Sequence, residues 1–182
     1  MMKLSKTLLS GVIFSLLLLT MMSYENQAEN LPSAKNITLE SAEKKLNNNL
    51  KMYKIVWDDI INKREIDKIN ATNFDTSITL ITSPENIVGI EGFKAYYQHY
   101  LTGFSDITFT LVDVFGQGNK IVKHWNFKGT HTGEFFGIAA SGKQVDIDGV
   151  TLVKMKDGKI AQEQDFLDNL LFYRQLGLIP AD

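Results

Sequence analysis

Apolar residues recur along this chain in two different periods, and the change from one to the other outlines a fold. Between residues 38 and 60, Ala42, Leu46, Leu50, Tyr53, Trp57 and Ile60 fall at steps of three and four, on one face of a helix. Thr38 or Ser41 is the expected N-cap, and the asparagines at 47–49 lie off the apolar stripe. "DTSITLITS" (75–83) is β-rich and stops at Pro84, as a strand would. Helical spacing returns in "IEGFKAYYQHYLTGF" (90–104), with Phe93, Tyr97, Tyr100 or Leu101, and Phe104 in register. From Ile107 the pattern alternates. "ITFTLVDVF" enters the turn "GQGN" and "KIVKHWNFKGTHTG" leaves it. "KQVDIDGVTLVKM" and "KIAQEQDFLDN" flank Asp157-Gly158, the strongest short hairpin signal in the chain. "LLFYRQLGLIP" reads as a closing helix ended by Gly177, with Pro180 beyond. Helices around one strand, then four antiparallel strands and a last helix, predict an α+β fold with helices on one face of a curved sheet.

The start of the chain stands outside that pattern. Lys3 and Lys6 precede an apolar run from Leu8 to Met22, interrupted only by Ser10, Gly11, Ser15 and Thr20. A basic end, a short apolar stretch and a polar exit read as a secretory signal over residues 1–28, with export to the periplasm or the exterior. The run is short of the roughly 20 residues of a comfortable membrane span, so no stable span is expected after processing; an uncleaved N-terminal anchor is the alternative. Residues 29–37 then form a tether and 38–182 a single domain.

Charge and composition narrow the partners. Without residues 1–28 the chain has 17 basic and 20 acidic groups, the 19 and 21 of the whole chain less Lys3, Lys6 and Glu25. A net negative surface gives nucleic acid no clustered basic face to neutralise its phosphates, so none is expected as a partner. The chain has no cysteine, hence no disulfide framework, and the fold must hold by packing.

"GIAASGK" (137–143) has the glycine and lysine spacing of a phosphate-cradling P-loop. Such a loop must enter a helix whose amides face the anion, whereas Lys143 leads into the alternation Val145, Ile147, Gly149, Thr151, Val153, Met155. The closing Ser or Thr is missing as well. A nucleotide site is not expected.

The Asp157-Gly158 hairpin gives a register. With a two-residue turn Lys156 faces Lys159, so Thr151 faces Gln164, Gly149 faces Phe166 and Ile147 faces Asp168. Ile160, Gln162, Gln164, Phe166 and Asp168 then share the buried face, while Asp146, Asp148, Lys154, Glu163 and Asp165 face away; a slip of one residue reverses this. A carboxylate among apolar neighbours has a raised pKa and suits general acid–base work, which makes Asp168 the candidate. The competing reading is that Asp168 caps the closing helix. His99, His124 and His131 lack metal-ligand spacing, and no metal is expected. His124 sits in a strand where parity leaves it either lining a pocket or solvated.

The ordered strings "W-x-F-x-GTHTGEFFGI-x-x-x-GK-x-V", "DGKI" and "D-N-L-x-x-x-x-QLG" resemble the SnoaL-like polyketide cyclase family, over residues 45–180. The resemblance implies the nuclear transport factor 2-like fold, a cone-shaped curved antiparallel sheet with helices on its concave face. It also implies a cofactor-free cavity enzyme for a small hydrophobic molecule and, at family level, a homodimer. In the family's cyclases an aspartate late in the last strand moves a proton beside a carbonyl; Asp168 is the matching position here. Gln164, Thr151, Phe166, His124, Tyr97 and Trp57 are the expected substrate contacts. Gln164 stands where an aromatic residue is usual and His124 where Arg is usual, so the family's substrates do not carry over. A noncatalytic binding protein, or a dimeric interaction module of the same fold, are the alternatives.

Overall fold

The computed structural model describes residues 34–180. The expected signal over 1–28, and the start of the tether, lie outside them. The chain divides after Ala42 into two units. Of the first, only the opening turns of helix α1 (Ala34–Ile61) are described; the second begins at Glu43 and carries the rest of the fold. Residues 34–37 are helical rather than tether, so neither Thr38 nor Ser41 starts the helix. Its inward stripe is Tyr53, Val56, Trp57, Ile60 and Ile61, and Asn49, expected off the stripe, is buried too. Just beyond its end Arg64 takes φ 59°, a left-handed conformation that no helix continues through.

Strands β1 (Phe74–Leu80) and β2 (Ile87–Val88) follow, then helix α2 (Ile90–Gly103). The meander is β3 (Thr108–Gln117), β4 (Lys120–Thr130), β5 (Gln144–Lys156) and β6 (Lys159–Leu167), closed by helix α3 (Asn169–Leu176). Sheet order is β2-β1-β6-β5-β4-β3. The meander is antiparallel throughout, but β1 lies parallel to β6, so the sheet is mixed. The last strand of a meander presents a row of free backbone groups, and β1 covers that edge. The architecture is the expected α+β fold on a curved, open sheet. Lys143 leads into β5 and not into a helix.

One local feature decides which side chains point inward. The turn at Asp157-Gly158 has positive φ at both residues, 50° and 78°, as a two-residue hairpin requires. Lys156 pairs with Lys159 and Met155 with Ile160, as expected, but Lys154 then pairs with Gln162. Ala161 is an extra residue, a β-bulge. Beyond it the strand is shifted by one, so Thr151 faces Asp165 and Gly149 faces Leu167. A slip of one residue exchanges the two faces. Glu163 is therefore buried, while Phe166 is exposed.

Two apolar clusters share the inner face. One joins α1, α2 and β1 to Ile121, Val153, Met155 and Ile160. The other gathers Phe104, Trp125, Phe127, Phe135, Val145, Ile147, Phe172 and Leu176. Trp125 lies flat across Gly149: a Cβ there would come within 2.2 Å of Trp125 Cζ2. An indole held by a hydrogen bond cannot simply swing aside. Gly149→Ala is expected to lower stability by about 1–3 kcal/mol, the range for overpacking, with altered tryptophan fluorescence. Urea unfolding of the two proteins measures it.

Candidate active site

At the seam between the two clusters lies a cavity of about 60 Å³. Trp57 and Ile61 of α1 line it, with Tyr96, Tyr97 and Tyr100 of α2. From the sheet come Phe109, Lys123, Trp125, Phe127, Ile147, Asp165 and Leu167. As it stands the space matches roughly two water molecules. The half-buried Tyr96 and Tyr100 stand at its border, their hydroxyls 3.4 Å apart.

Asp165 is the carboxylate on the wall, and both its oxygens are held. The Thr151 hydroxyl donates to Oδ1 in a very short hydrogen bond, and itself accepts from Trp125 Nε1 at 2.9 Å. The Tyr97 hydroxyl lies 3.2 Å from Oδ2. The same hydroxyl is 3.3 Å from Glu163 Oε2, so one phenol stands between two carboxyl groups and has one proton to give. Burial, then the charges of Asp165 and Glu163, push the Tyr97 phenol well above its ordinary pKa, so it remains a donor.

Glu163 sits behind this wall with no exposed surface. Its Oε1 accepts from Tyr53 Oη at 2.6 Å and Trp57 Nε1 at 3.0 Å. Burial raises its pKa from 4.5 to about 7, against the opposing influence of the Lys123 charge. A buried acid titrating near neutrality is what general acid–base chemistry needs, although Glu163 is not on the cavity wall.

Lys123 is 2 % exposed. Its Nζ stands 4.2 Å from the centre of the Trp57 ring, 5.4 Å from that of Phe109 and 5.6 Å from that of Tyr53. Pairing runs straight across the sheet from Lys123 to Thr151 and from Thr151 to Asp165. Cation, hydroxyl and carboxylate thus form one inward row on three neighbouring strands.

The structure redistributes the expected site. Trp57 and Tyr97 line the cavity, and Thr151 stands behind Asp165. Asp168 does not reach it: this residue is exposed and its carboxylate caps α3, accepting from Leu171 N at 2.9 Å. The bulge at Ala161 is what turns Asp168 away from the cavity, and it also turns Gln164 and Phe166 to the outer face. Phe166 is 51 % exposed and is not part of the cavity lining. His124 points outward as well, its Nε2 3.9 Å from Asp148. His131 is fully buried, with Nδ1 3.1 Å from Ser141 Oγ in the loop before β5. Lys123, Glu163 and Asp165 were not among the expected residues. Lys123 was findable, because Ile121, Trp125 and Phe127 alternate around it and force it inward. Among the described residues no group of three or more His, Cys, Asp or Glu side chains could hold a metal ion. No described helix is long and apolar enough to cross a membrane.

The sequence model of a family described as SnoaL-like polyketide cyclase matches residues 51–176. Among curated proteins no sequence matches the chain. Solved structures resemble it widely. A proposed SnoaL-like polyketide cyclase from Jannaschia sp. CCS1 is 23% identical, with TM-score 0.67 over 74% of this chain and 94% of that one. TsrD from Streptomyces laurentii is 25% identical, with TM-score 0.65 over 72% and 96%. TerC, co-crystallised with polyporic acid, is 16% identical, with TM-score 0.57 over 71% and 98%. The architecture they share is the nuclear transport factor 2-like fold.

Proposed function

The chain belongs to the SnoaL-like polyketide cyclase family, and from that premise we propose an exported, cofactor-free acid–base enzyme in which Asp165 moves the proton. Its substrate is a small, hydrophobic, carbonyl-bearing molecule. One observation carries the reading: Asp165 is the carboxylate on the cavity wall, and both its oxygens are oriented by hydroxyls. A base fixed in this way meets its proton without reorganising at the moment of transfer.

In the reaction, Asp165 takes a proton from the carbon beside a carbonyl. The C–H electron pair becomes the carbon–carbon double bond of an enolate, and the carbonyl pair moves onto oxygen. The enolate carbon attacks a second carbonyl of the same molecule and closes a carbon–carbon bond. The alkoxide so formed takes the proton back from Asp165. No other reactant is consumed. Tyr97 tracks the charge of Asp165, donating to the carboxylate and turning toward Glu163 once Asp165 holds the proton.

Two further parts of the proposal rest on other observations. Export rests on the basic start and apolar run of residues 1–28. A homodimer is supported by the apolar groups exposed on the outer sheet face, Leu152 and Phe166 among them.

Hydrogen–deuterium exchange tests the chemistry. Cyclic ketones, β-keto esters and lactones are incubated with the protein in heavy water, and exchange at the carbon beside the carbonyl is followed by NMR. Accelerated exchange that Asp165→Asn removes is the expected result. Exchange at the buffer rate across the whole panel would overturn the enzymatic reading, and binding without exchange would point to a carrier.

A further inference from the structure

Lys123 takes no part in the proton transfer just described, yet its position is costly. An ammonium group loses several kcal/mol of hydration when buried and regains it only through good partners. It has three N–H donors. Among the described residues no carboxylate forms an ion pair with it and no acceptor takes a hydrogen bond from it; its contacts are the faces of Trp57, Phe109 and Tyr53. Ring faces attract a cation but leave its N–H directions unfilled. An apolar side chain would pack this spot as its neighbours Ile121 and Trp125 do on the same strand face.

We infer that the cavity takes its substrate as an oxygen anion on a flat conjugated skeleton, a phenolate, with the charged oxygen against Lys123 Nζ and the carbon acid elsewhere on the molecule. The inference rests on the acid–base reading of the same cavity and specifies what enters it. Three features converge on this substrate class. The lining is mainly aromatic, with Trp57, Tyr96, Tyr100, Phe109, Trp125 and Phe127 offering ring faces and edges to a planar guest. Lys123 and Asp165 stand two strands apart on one row, on the order of 10 Å between backbones, so cation and base address different points of a guest. Burial holds the pKa of Glu163 up at about 7 against the Lys123 charge, which leaves this acid only partly ionised at neutral pH. Glu163 therefore leaves the Lys123 charge only partly balanced. The charged and titratable groups on the cavity wall are Lys123, Asp165, Tyr96, Tyr97 and Tyr100, with Glu163 and Tyr53 packed behind it. The resting cavity is smaller than a ring, so binding one requires the lining at its border, Tyr96 and Tyr100, to give way.

4-Nitrophenol is the probe, because its neutral and ionised forms absorb at different wavelengths. The full chain is titrated with it at a pH where both forms are present. The expected result is that the phenolate binds at least about tenfold more tightly than the phenol, so the bound probe is yellow. Lys123→Met, of similar length and without charge, is expected to abolish that preference while circular dichroism is unchanged. Asp165→Asn is expected to keep it. The two readings therefore fail separately: exchange chemistry reports on Asp165, and the ionisation state of the bound probe on Lys123. Equal binding of phenol and phenolate by the unaltered protein, no binding at millimolar probe, or an unchanged preference in Lys123→Met overturns the inference. The unaltered protein settles the sign of the preference whatever the substitution does to folding.

Discussion

Replacing Asp165 with asparagine is expected to cut turnover by roughly 10²- to 10⁴-fold, the usual share of a positioned general base. Asparagine keeps the shape and still accepts from Thr151, so the cavity wall remains while the proton carrier is lost. The informative comparison is with Asp168, three residues on. Asp168→Ala removes the cap of α3 and leaves Leu171 N without its acceptor, which is expected to cost about 1 kcal/mol of stability. Its turnover is expected to stay within a few-fold of the parent. Steady-state kinetics together with urea unfolding on both variants separates the two carboxylates. A large loss of turnover at Asp168 with no loss at Asp165 would move the chemistry to the mouth of α3 and refute the site described here.

The second large effect concerns pH. Glu163 is held at about 7 in the folded protein against an ordinary 4.5, because burial penalises its charge. Between these values the folded state binds a proton that the unfolded chain has lost. Stability should therefore fall as pH rises from about 4.5 to about 7, and level off above. The contribution is fully present below 4.5 and gone above 7, on the order of 3 kcal/mol in all. Glu163→Gln keeps an oxygen to accept from Tyr53 and Trp57, and its amide can donate to Tyr97. The variant should lose the downward slope and be the more stable protein at pH 8. Chemical unfolding from pH 4.5 to 8.5 measures the difference between the two curves, in which the titration of other groups cancels. Parallel curves would show that Glu163 is ionised throughout.

Both experiments turn on a strand whose inward face could not be chosen from its residues. Ile160, Gln162, Gln164, Phe166 on one parity, and Ala161, Glu163, Asp165, Leu167 on the other, are each half apolar. Hydrophobic alternation selects a register only when the two faces differ, and here they nearly balance. The turn was legible, since Asp157-Gly158 supplies the two positive φ values a tight hairpin needs. The bulge at Ala161 was not, because it arises where β6 must satisfy β5 on one side and β1 on the other. The pairing with β1 is irregular over the same stretch.

Local pattern was enough for the elements themselves: the stripe of α1, the spacing of α2, the four alternating strands and the glycine-stopped α3 all follow from side-chain periodicity. The strings around "GTHTGEFFG" and "QLG" were enough for the family, whose extent along the chain agrees with the match over 51–176. Long-range pairing alone placed β1 against β6 and put Lys123, Thr151 and Asp165 in one row; the cap at Asp168 was legible as one of two readings, and the register decided for it. The physical reason is that periodicity within a strand is set by its own backbone, whereas register is a contest between neighbouring strands. One inserted residue in that contest is enough to exchange a buried acid for a solvated one.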